Sequence, residues 1–354
     1  MVDDILIKVL LLPLSLLYGV GVGLRNLLYR LGVLRSVRFD VPVISIGNLA
    51  IGGTGKSPHI EYLLGWLRDY LEVGLLSRGY GRGTVGFRVV GVEDTALSVG
   101  DEPLQIKRKF RDELVVVSES RALGIPEMIR NAPGLQCILL DDAFQHLAVT
   151  PGLNMLLTEY GRPFTRDWLL PSGRLREWRY GYRRADIVVV TKCPDGITEV
   201  DRQRMVSEID PYPRQRIYFS RYRYGRLRDF FHPEREIELD GFTDALLVSG
   251  IANTDYLLAH LGERMKRVVS LDFADHHYYR EEDLELIRRR FVELDSGHKA
   301  ILTTEKDAVR LELHRERLLS WGLPIYVVCV AVEFIGGEEN FKQDIRRFLL
   351  DFQV

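Results

Sequence analysis

The feature that most constrains this chain is an eight-residue stretch, Ala50-Ile51-Gly52-Gly53-Thr54-Gly55-Lys56-Ser57, that follows an apolar, β-branched run. It fits the phosphate-loop pattern [AG]-x-x-x-x-G-K-[ST], with alanine in the first position. Glycines let backbone N–H groups turn inward around phosphates. A helix starting near Lys56 would point its positive end at the same phosphates. Lys56 would reach the β- and γ-phosphates, and the Ser57 hydroxyl would ligate Mg²⁺. Such a loop needs a strand before it and a helix after it. It therefore commits this part of the chain to a layered α/β fold.

The rest of the chain agrees. Apolar runs at 41–47, 73–77, 85–90, 114–117, 136–142, 154–159 and 186–192 read as strands, with helices after 56 and near 102–110 and 121–131. Strands apolar on both faces indicate a largely parallel, helix-flanked sheet. The alternation resumes with strands at 245–250, 267–271, 299–304 and 324–330 and helices from 254, at 281–294, at 306–319 and from 338. Between the two series, 214–228 interleaves arginines with aromatics, which suggests exposed strands or a linker hairpin. At 354 residues the chain is long enough for two domains. The expected units are an N-terminal segment 1–36, a phosphate-loop domain 37–225 and a smaller α/β domain 226–354.

The strand at 136–142 ends in Asp141 and Asp142, the form of the acidic strand that helps hold Mg²⁺ in phosphate-loop enzymes. One carboxylate would serve the metal and the other would orient a catalytic group. Guanine readers commonly carry [NT]-K-x-D after a strand. Here Thr191-Lys192-Cys193-Pro194-Asp195 has the carboxylate one position late, which favours ATP. Gly79, Gly81 and Gly83 lack the spacing of a dinucleotide fingerprint and read as a mobile loop.

Composition excludes other classes. Hydrophobic residues make up 46% and charged residues 28%, with a formal net charge of −2, so the chain is neither disordered nor a multi-span membrane protein. A whole-surface field for nucleic acid is not expected. The three scattered cysteines form no CxxC pair and fit a reducing compartment. Residues 9–24 carry no charge, and Arg25, Arg30, Arg35 and Arg38 follow among leucines. The run is short for a span and lacks the layout of a cleavable signal. A segment lying in a membrane interface is expected; a buried helical hairpin is the alternative.

Taken together and in order, LLPLSLLYGV, PVISIGNLAIGGTGKSP, LLSRGYGR, VGDEP, LDDAFQH, LLPSGRLRE, FADHH and TTEKDAV resemble the tetraacyldisaccharide 4′-kinase family of lipid A biosynthesis. The resemblance implies transfer of the ATP γ-phosphate, with Mg²⁺, to the 4′-hydroxyl of an acylated glucosamine disaccharide 1-phosphate. It implies a phosphate-loop domain and a smaller α/β domain joined by a two-stranded linker. It implies a peripheral or monotopic enzyme on the cytoplasmic face of the bacterial inner membrane, with no nucleic-acid or protein partner. By the same resemblance Asp101 is the catalytic base, although Asp101-Glu102-Pro103 alone reads as a helix start. His276 pairs with it, Asp141 and Glu177 join Ser57 at the metal, and Asp142 orients the base. His146 supports them. Arg78, Tyr80 and Arg121 meet the acceptor. Trp178 stands where the family usually has proline. The rival reading is a phosphate-loop GTPase or metallochaperone-type switch.

Overall fold

The computed structural model describes residues 2–352. The elements in chain order are α1 (Val2–Arg30), β1 (Val43–Asn48), α2 (Lys56–Leu67), β2 (Val73–Ser77), β3 (Arg88–Val89), α3 (Ala96–Val99), α4 (Asp101–Lys109), β4 (Leu114–Val117), α5 (Arg121–Asn131), β5 (Cys137–Asp141), β6 (Leu153–Glu159), β7 (Ile187–Thr191), α6 (Glu199–Ile209), β8 (Arg216–Asp229), β9 (Glu236–Ile237), β10 (Asp244–Ser249), α7 (Asp255–Gly262), β11 (Arg267–Asp272), α8 (Glu281–Val292), β12 (Lys299–Thr304), α9 (Glu305–Leu311), α10 (Arg315–Ser320), β13 (Ile325–Phe334) and α11 (Glu338–Asp351).

The strands run in the order β3-β4-β2-β5-β1-β6-β7-β8 and continue through β13-β12-β10-β11. In the larger half every pairing is parallel except β3 with β4. In the smaller half β13, β12, β10 and β11 are parallel to one another. The join is the 14-residue strand β8. Its first half pairs parallel with β7, and from Ser220 onward it pairs antiparallel with β13. The arginine- and tyrosine-rich run is therefore half of a two-stranded connection. Its arginines are met by acids: Arg221 and Arg223 both bond Glu333 across the pair.

Both halves bury strands on both faces, and β1, β2, β5 and β7 are buried throughout. On one face α2 and α4 cover Ile44, Ile46, Leu75 and Leu139. On the other, α5 covers Leu76, Val116, Ile138 and Leu140.

Four expectations change. The position 225/226 falls inside β8, and α11 does not stay with the smaller half. Its Phe341 and Ile345 pack among Ile60, Leu63 and Leu64 of the larger core, and the Tyr218 hydroxyl donates to Asp344 at 2.6 Å. Burying those two side chains is worth about 1.5–3 kcal/mol each, enough to recruit the helix. The expected strand 85–90 shrinks to two residues beside β4. The expected helix 306–319 is broken by a 3-10 turn at Glu312–His314. The N-terminus is neither hairpin nor short: α1 is a single 29-residue helix that runs through Pro13.

One stripe of α1 is docked. Ser15 Oγ donates to Ser172 Oγ at 2.8 Å, the Trp178 indole donates to Gly19 O at 2.8 Å, and Asn26 Nδ2 donates to Glu177 Oε2 at 3.0 Å. A Cβ at Gly19 would stand 2.5 Å from the Trp178 ring, so only glycine admits the indole. Among the described side chains many of the other apolar ones are bare, including Leu10, Leu14, Leu17, Val20 and Leu24. Lys8–Arg30 is long and apolar enough to cross a membrane and is only 11% buried.

Candidate active site

The loop after β1 is shaped by two glycines in the left-handed region, Gly52 (φ 102°) and Gly55 (φ 92°). A Cβ at Gly55 would lie 2.9 Å from the Tyr222 hydroxyl, so both conformation and space require glycine. Asn48 Nδ2 donates to Thr54 Oγ1 at 2.6 Å, Thr191 Oγ1 to Thr54 O at 2.8 Å, and Ile51 N to Arg174 O at 2.8 Å. The loop is thus held in shape by its neighbours. Helix α2 begins at Lys56 with no acidic residue in its first turn, so its positive end is left for phosphate.

Next to β1, strand β5 delivers the two aspartates. Asp142 has φ 46°, which turns its carboxylate toward the loop. Its Oδ1 lies 3.8 Å from Lys56 Nζ, and Arg176 grips both oxygens, at 2.7 and 2.9 Å. Burial would raise the Asp142 pKa, but Lys56 and Arg176 hold it well below the usual carboxylate range. Asp142 therefore tethers Lys56. It does not touch Asp101, so the expected role of orienting the base is not what its position provides; the two cations beside it have claimed it.

Asp141 is buried. Ser77 Oγ donates to its Oδ2 at 2.7 Å, whereas Oδ1 has no hydrogen-bond partner. Burial, then Glu102 and Asp142, push its pKa up to about 6. A buried carboxylate oxygen with no donor suits a cation. Ser57 Oγ lies on the same cavity and donates to Glu102 Oε1 at 3.2 Å. Mg²⁺ keeps several waters and needs only one or two protein ligands beside phosphate oxygens, so Asp141 and Ser57 fit it. Among the described residues no group of three acidic, His or Cys side chains could form a full protein cage.

Glu177 is not with them. Its oxygens are taken by Arg184 at 2.7 and 2.9 Å, by Gln145 at 3.0 Å and by Asn26 of α1, and the residue is 1% exposed. Glu177 was expected at the metal; in this structure Arg184, seven residues on, holds its carboxylate and the residue does not line the cavity. Trp178 explains the local shape, because its ring packs on α1 where proline would leave a gap.

Opposite the loop stands the second cluster. Gly100 (φ 93°) packs its backbone on Gly79, where a Cβ would be 3.1 Å from the Gly79 backbone, and this close approach sets the start of α4. Asp101 is the first residue of α4, and its Oδ1 accepts from Glu102 N at 2.8 Å. Its Oδ2 lies 3.0 Å from His276 Nδ1 and 2.9 Å from Arg310 Nε. Burial opposes ionisation, but His276, Arg310 and Lys306 hold the Asp101 pKa far below the usual range. The hydrogen bond that His276 donates to Asp101 raises the His276 pKa in return. His276 has φ 59°, a costly conformation for a residue with a side chain, and Tyr80 lies over its ring at 5.0 Å between centroids.

These groups share one cavity of about 680 Å³ between the halves. Lys56, Ser57, Asp141, Asp142, Arg78, Tyr80, Arg121 and His276 line it, as do all the loop residues from Ile51. Asp101 stands just behind the wall, 3% exposed, with His276 and Glu102 in front of it. Ala50 is buried, in a bridge with Leu175. Arg78 and Tyr80 are exposed into the opening. Arg121 is 2% exposed and spends its guanidinium on Asp141 O at 2.7 Å and Ser118 O at 3.1 Å, leaving only Nε without a partner. His146 accepts from Arg121 N at 3.3 Å, and burial, with Arg121, Arg25 and Arg78 near it, lowers its pKa to about 4.

Sequence reasoning missed Arg176, Lys306 and Arg310. The last two lie in TTEKDAVR, four residues apart and so on one face of α9. Lys306 bonds Glu102 and Arg310 bonds Asp101. That spacing was the available signal.

Comparison with known proteins places this geometry. Residues 7–350 match the family described as Tetraacyldisaccharide-1-P 4′-kinase. The chain belongs to this family. A tetraacyldisaccharide 4′-kinase of Bacteroides fragilis is 46% identical over 345 residues, covering 95% of this chain and 91% of that protein. One from Flavobacterium johnsoniae is 36% identical over 346 residues, covering 97% and 98%. An "apo"-form crystal structure of LpxK from Aquifex aeolicus in complex with ATP superposes with a TM-score of 0.73 at 27% identity, covering 97% of this chain and 99% of that one. The tetraacyldisaccharide 4′-kinase family is one of ATP-using kinases, which sets aside the GTPase or metallochaperone reading.

Proposed function

We propose that this kinase moves the γ-phosphoryl group of ATP to the 4′-hydroxyl of an acylated glucosamine disaccharide 1-phosphate, with Asp101 and His276 acting as a pair on the hydroxyl proton. The observation that carries this reading is that His276, braced by Asp101, shares one cavity with Lys56 and the loop amides. Phosphoryl transfer demands positioning and charge neutralisation more than covalent help. The loop amides and Lys56 hold the phosphates, and Asp142 keeps Lys56 aimed at them. Asp141 and Ser57 would hold Mg²⁺, which when bound neutralises charge on the β- and γ-oxygens.

His276 Nδ1 is engaged by Asp101, so Nε2 is the nitrogen left for the sugar hydroxyl. Asp101 Oδ1 carries only the Glu102 amide and is the carboxylate oxygen with capacity to spare. Of the two residues only His276 lines the cavity, so the pair takes the proton at Nε2 with Asp101 behind it. Arg78 and Tyr80, exposed at the opening, suit the acceptor's sugar and phosphate. Arg121 would contribute charge more than direct bonds.

The bare face of α1 suits a lipid surface, and the arginines that follow it suit anionic headgroups. This supports a peripheral or monotopic enzyme on the cytoplasmic face of the inner membrane, where ATP is available and the lipid acceptor need not leave the bilayer. The deciding experiment is radiolabel transfer from ATP to the disaccharide, with the product mapped to the 4′ position. Label found elsewhere on the sugar, or none in the lipid, would end this reading.

A further inference from the structure

The mechanism leaves one buried histidine unused. His59 lies near the start of α2 and is 2% exposed. Its Nδ1 lies 2.7 Å from Gly55 O, and its Nε2 lies 2.9 Å from Ser220 Oγ. A carbonyl can only accept, so Nδ1 carries the proton and Nε2 accepts from the Ser220 hydroxyl. Burial pushes the His59 pKa down to about 4, which keeps the ring neutral and in that tautomer. Packing alone does not account for this residue. An aliphatic side chain would fill the interior without desolvating two ring nitrogens.

Each end of the ring bears on a different part of the machinery. At one end is Gly55, whose left-handed conformation shapes the phosphate loop. Gly55 O also accepts the His59 backbone N–H, at 3.3 Å. Two donors from one residue therefore fix the plane of the Gly55–Lys56 peptide. In a trans peptide the C=O and the N–H point in opposite directions, so the Lys56 N–H is turned away from the ring. Gly55 and Lys56 line the cavity; His59 and Ser220 do not. At the other end is Ser220, the residue at which β8 leaves β7 and joins β13. Phe219 still pairs with Val190, whereas Ser220 pairs with Phe334. The Phe334 ring meets the His59 ring edge-on, with centroids 6.4 Å apart. His59 thus touches both strands of the connection between the halves, at its root.

We propose that His59 is a positioning residue for phosphoryl transfer: it braces the Gly55 peptide against Ser220, so that the phosphate loop takes its working shape from the root of the two-stranded connection. The residue acts through the amide that it aims. The inference rests on the reading of the loop as the seat of the ATP phosphates and holds for any acceptor.

The test removes each end of the brace on the full chain. Calorimetry gives Kd for ATP and for inorganic tripolyphosphate, and steady-state label transfer gives kcat and KM. His59→Phe keeps a ring against Phe334 and loses both bonds. The two ligands should weaken equally, by about tenfold, because the fault lies in the loop; tenfold is about 1.4 kcal/mol, the worth of one or two hydrogen bonds. Ser220→Ala keeps the histidine and loses its support, and about threefold is expected. Adding Ser220→Ala to His59→Phe should change nothing further, since the brace is already gone. The KM for ATP should rise while the KM for the disaccharide stays. A partly unfolded enzyme would instead lower kcat and leave both KM values alone. Should His59→Phe fail to fold, Ser220→Ala decides by itself. Unchanged tripolyphosphate affinity in Ser220→Ala, or full additivity in the double variant, overturns the proposal. The calorimetry needs no acceptor, so a wild type that shows this pattern but phosphorylates no disaccharide would fail the kinase reading and leave the brace standing.

Discussion

The two walls of the cavity are built in opposite ways. The donor wall is nearly continuous in sequence, from Asn48 to Ser57, and most of its chemistry is main-chain N–H groups in a shape set by glycines. The opposite wall is assembled from a distance: Asp101 meets His276 across 175 residues and Arg310 across 209. It works through side chains whose charges are balanced against one another inside the protein. The first wall depends on backbone conformation and tolerates little local change. The second depends on how the halves meet, so its strength varies with pH, with pairing and with the stability of the smaller half.

Five experiments would break or sharpen that contrast. Lys56→Ala should cost the most, lowering kcat by about 10²–10⁴ in steady-state label transfer, with the fold intact. A loss under tenfold would mean that the amides alone do the work. Arg310→Leu should act on the fold instead, because it strands the Asp101 carboxylate in the interior. A stability loss of about 3–5 kcal/mol in denaturant melts is expected, and a variant as stable as the wild type would show that the pairing is incidental.

His276→Gln should lower kcat by about 10². Its stability effect should depend on pH in one direction. Pairing with Asp101 raises the folded pKa of His276 above its ordinary 6.5. The pairing therefore stabilises fully below about pH 6.5 and fades as pH climbs through the raised value. Melts of His276→Gln and wild type should converge in alkali and separate in acid; the reverse order would refute the pair. In Asp101→Asn, the acid limb of the residual kcat profile should move to lower pH, because the histidine loses the partner that raises it. The smallest effect belongs to Gly19→Leu, which pushes against the Trp178 ring. About a fivefold rise in the acceptor KM is expected, with a smaller rise in the KM for ATP because the same segment carries Arg176.

The same contrast explains what could be read in advance. The loop, its strand and helix, and the alternation behind them are local patterns, and the structure follows them closely. The strand at 85–90 was misjudged because pairing, not apolarity, sets its length: only Arg88 and Val89 meet β4. The helix α11 was assigned to the wrong half because nothing nearby says where Phe341 is buried. At the site, Lys56 and Ser57 were legible from spacing alone. Asp101 and His276 were not; without family resemblance they read as a helix start and a polar loop. The partners of Glu177 could not be read in advance, because Arg184, Gln145 and Asn26 reach its carboxylate only in space. Arg176 carries no local mark of its partner, whereas Arg310 has one, its four-residue spacing from Lys306 on α9.

The seat of the Trp178 indole on Gly19 fastens α1 to the segment that also carries Arg176, two positions earlier. The Tyr18 hydroxyl reinforces the joint by bonding Arg176 O at 2.8 Å. A displacement of the helix would thus be felt first by the residue clamping Asp142, and through it by Lys56. The exposed apolar face of α1 and the phosphate loop are thus a few bonds apart in mechanical terms.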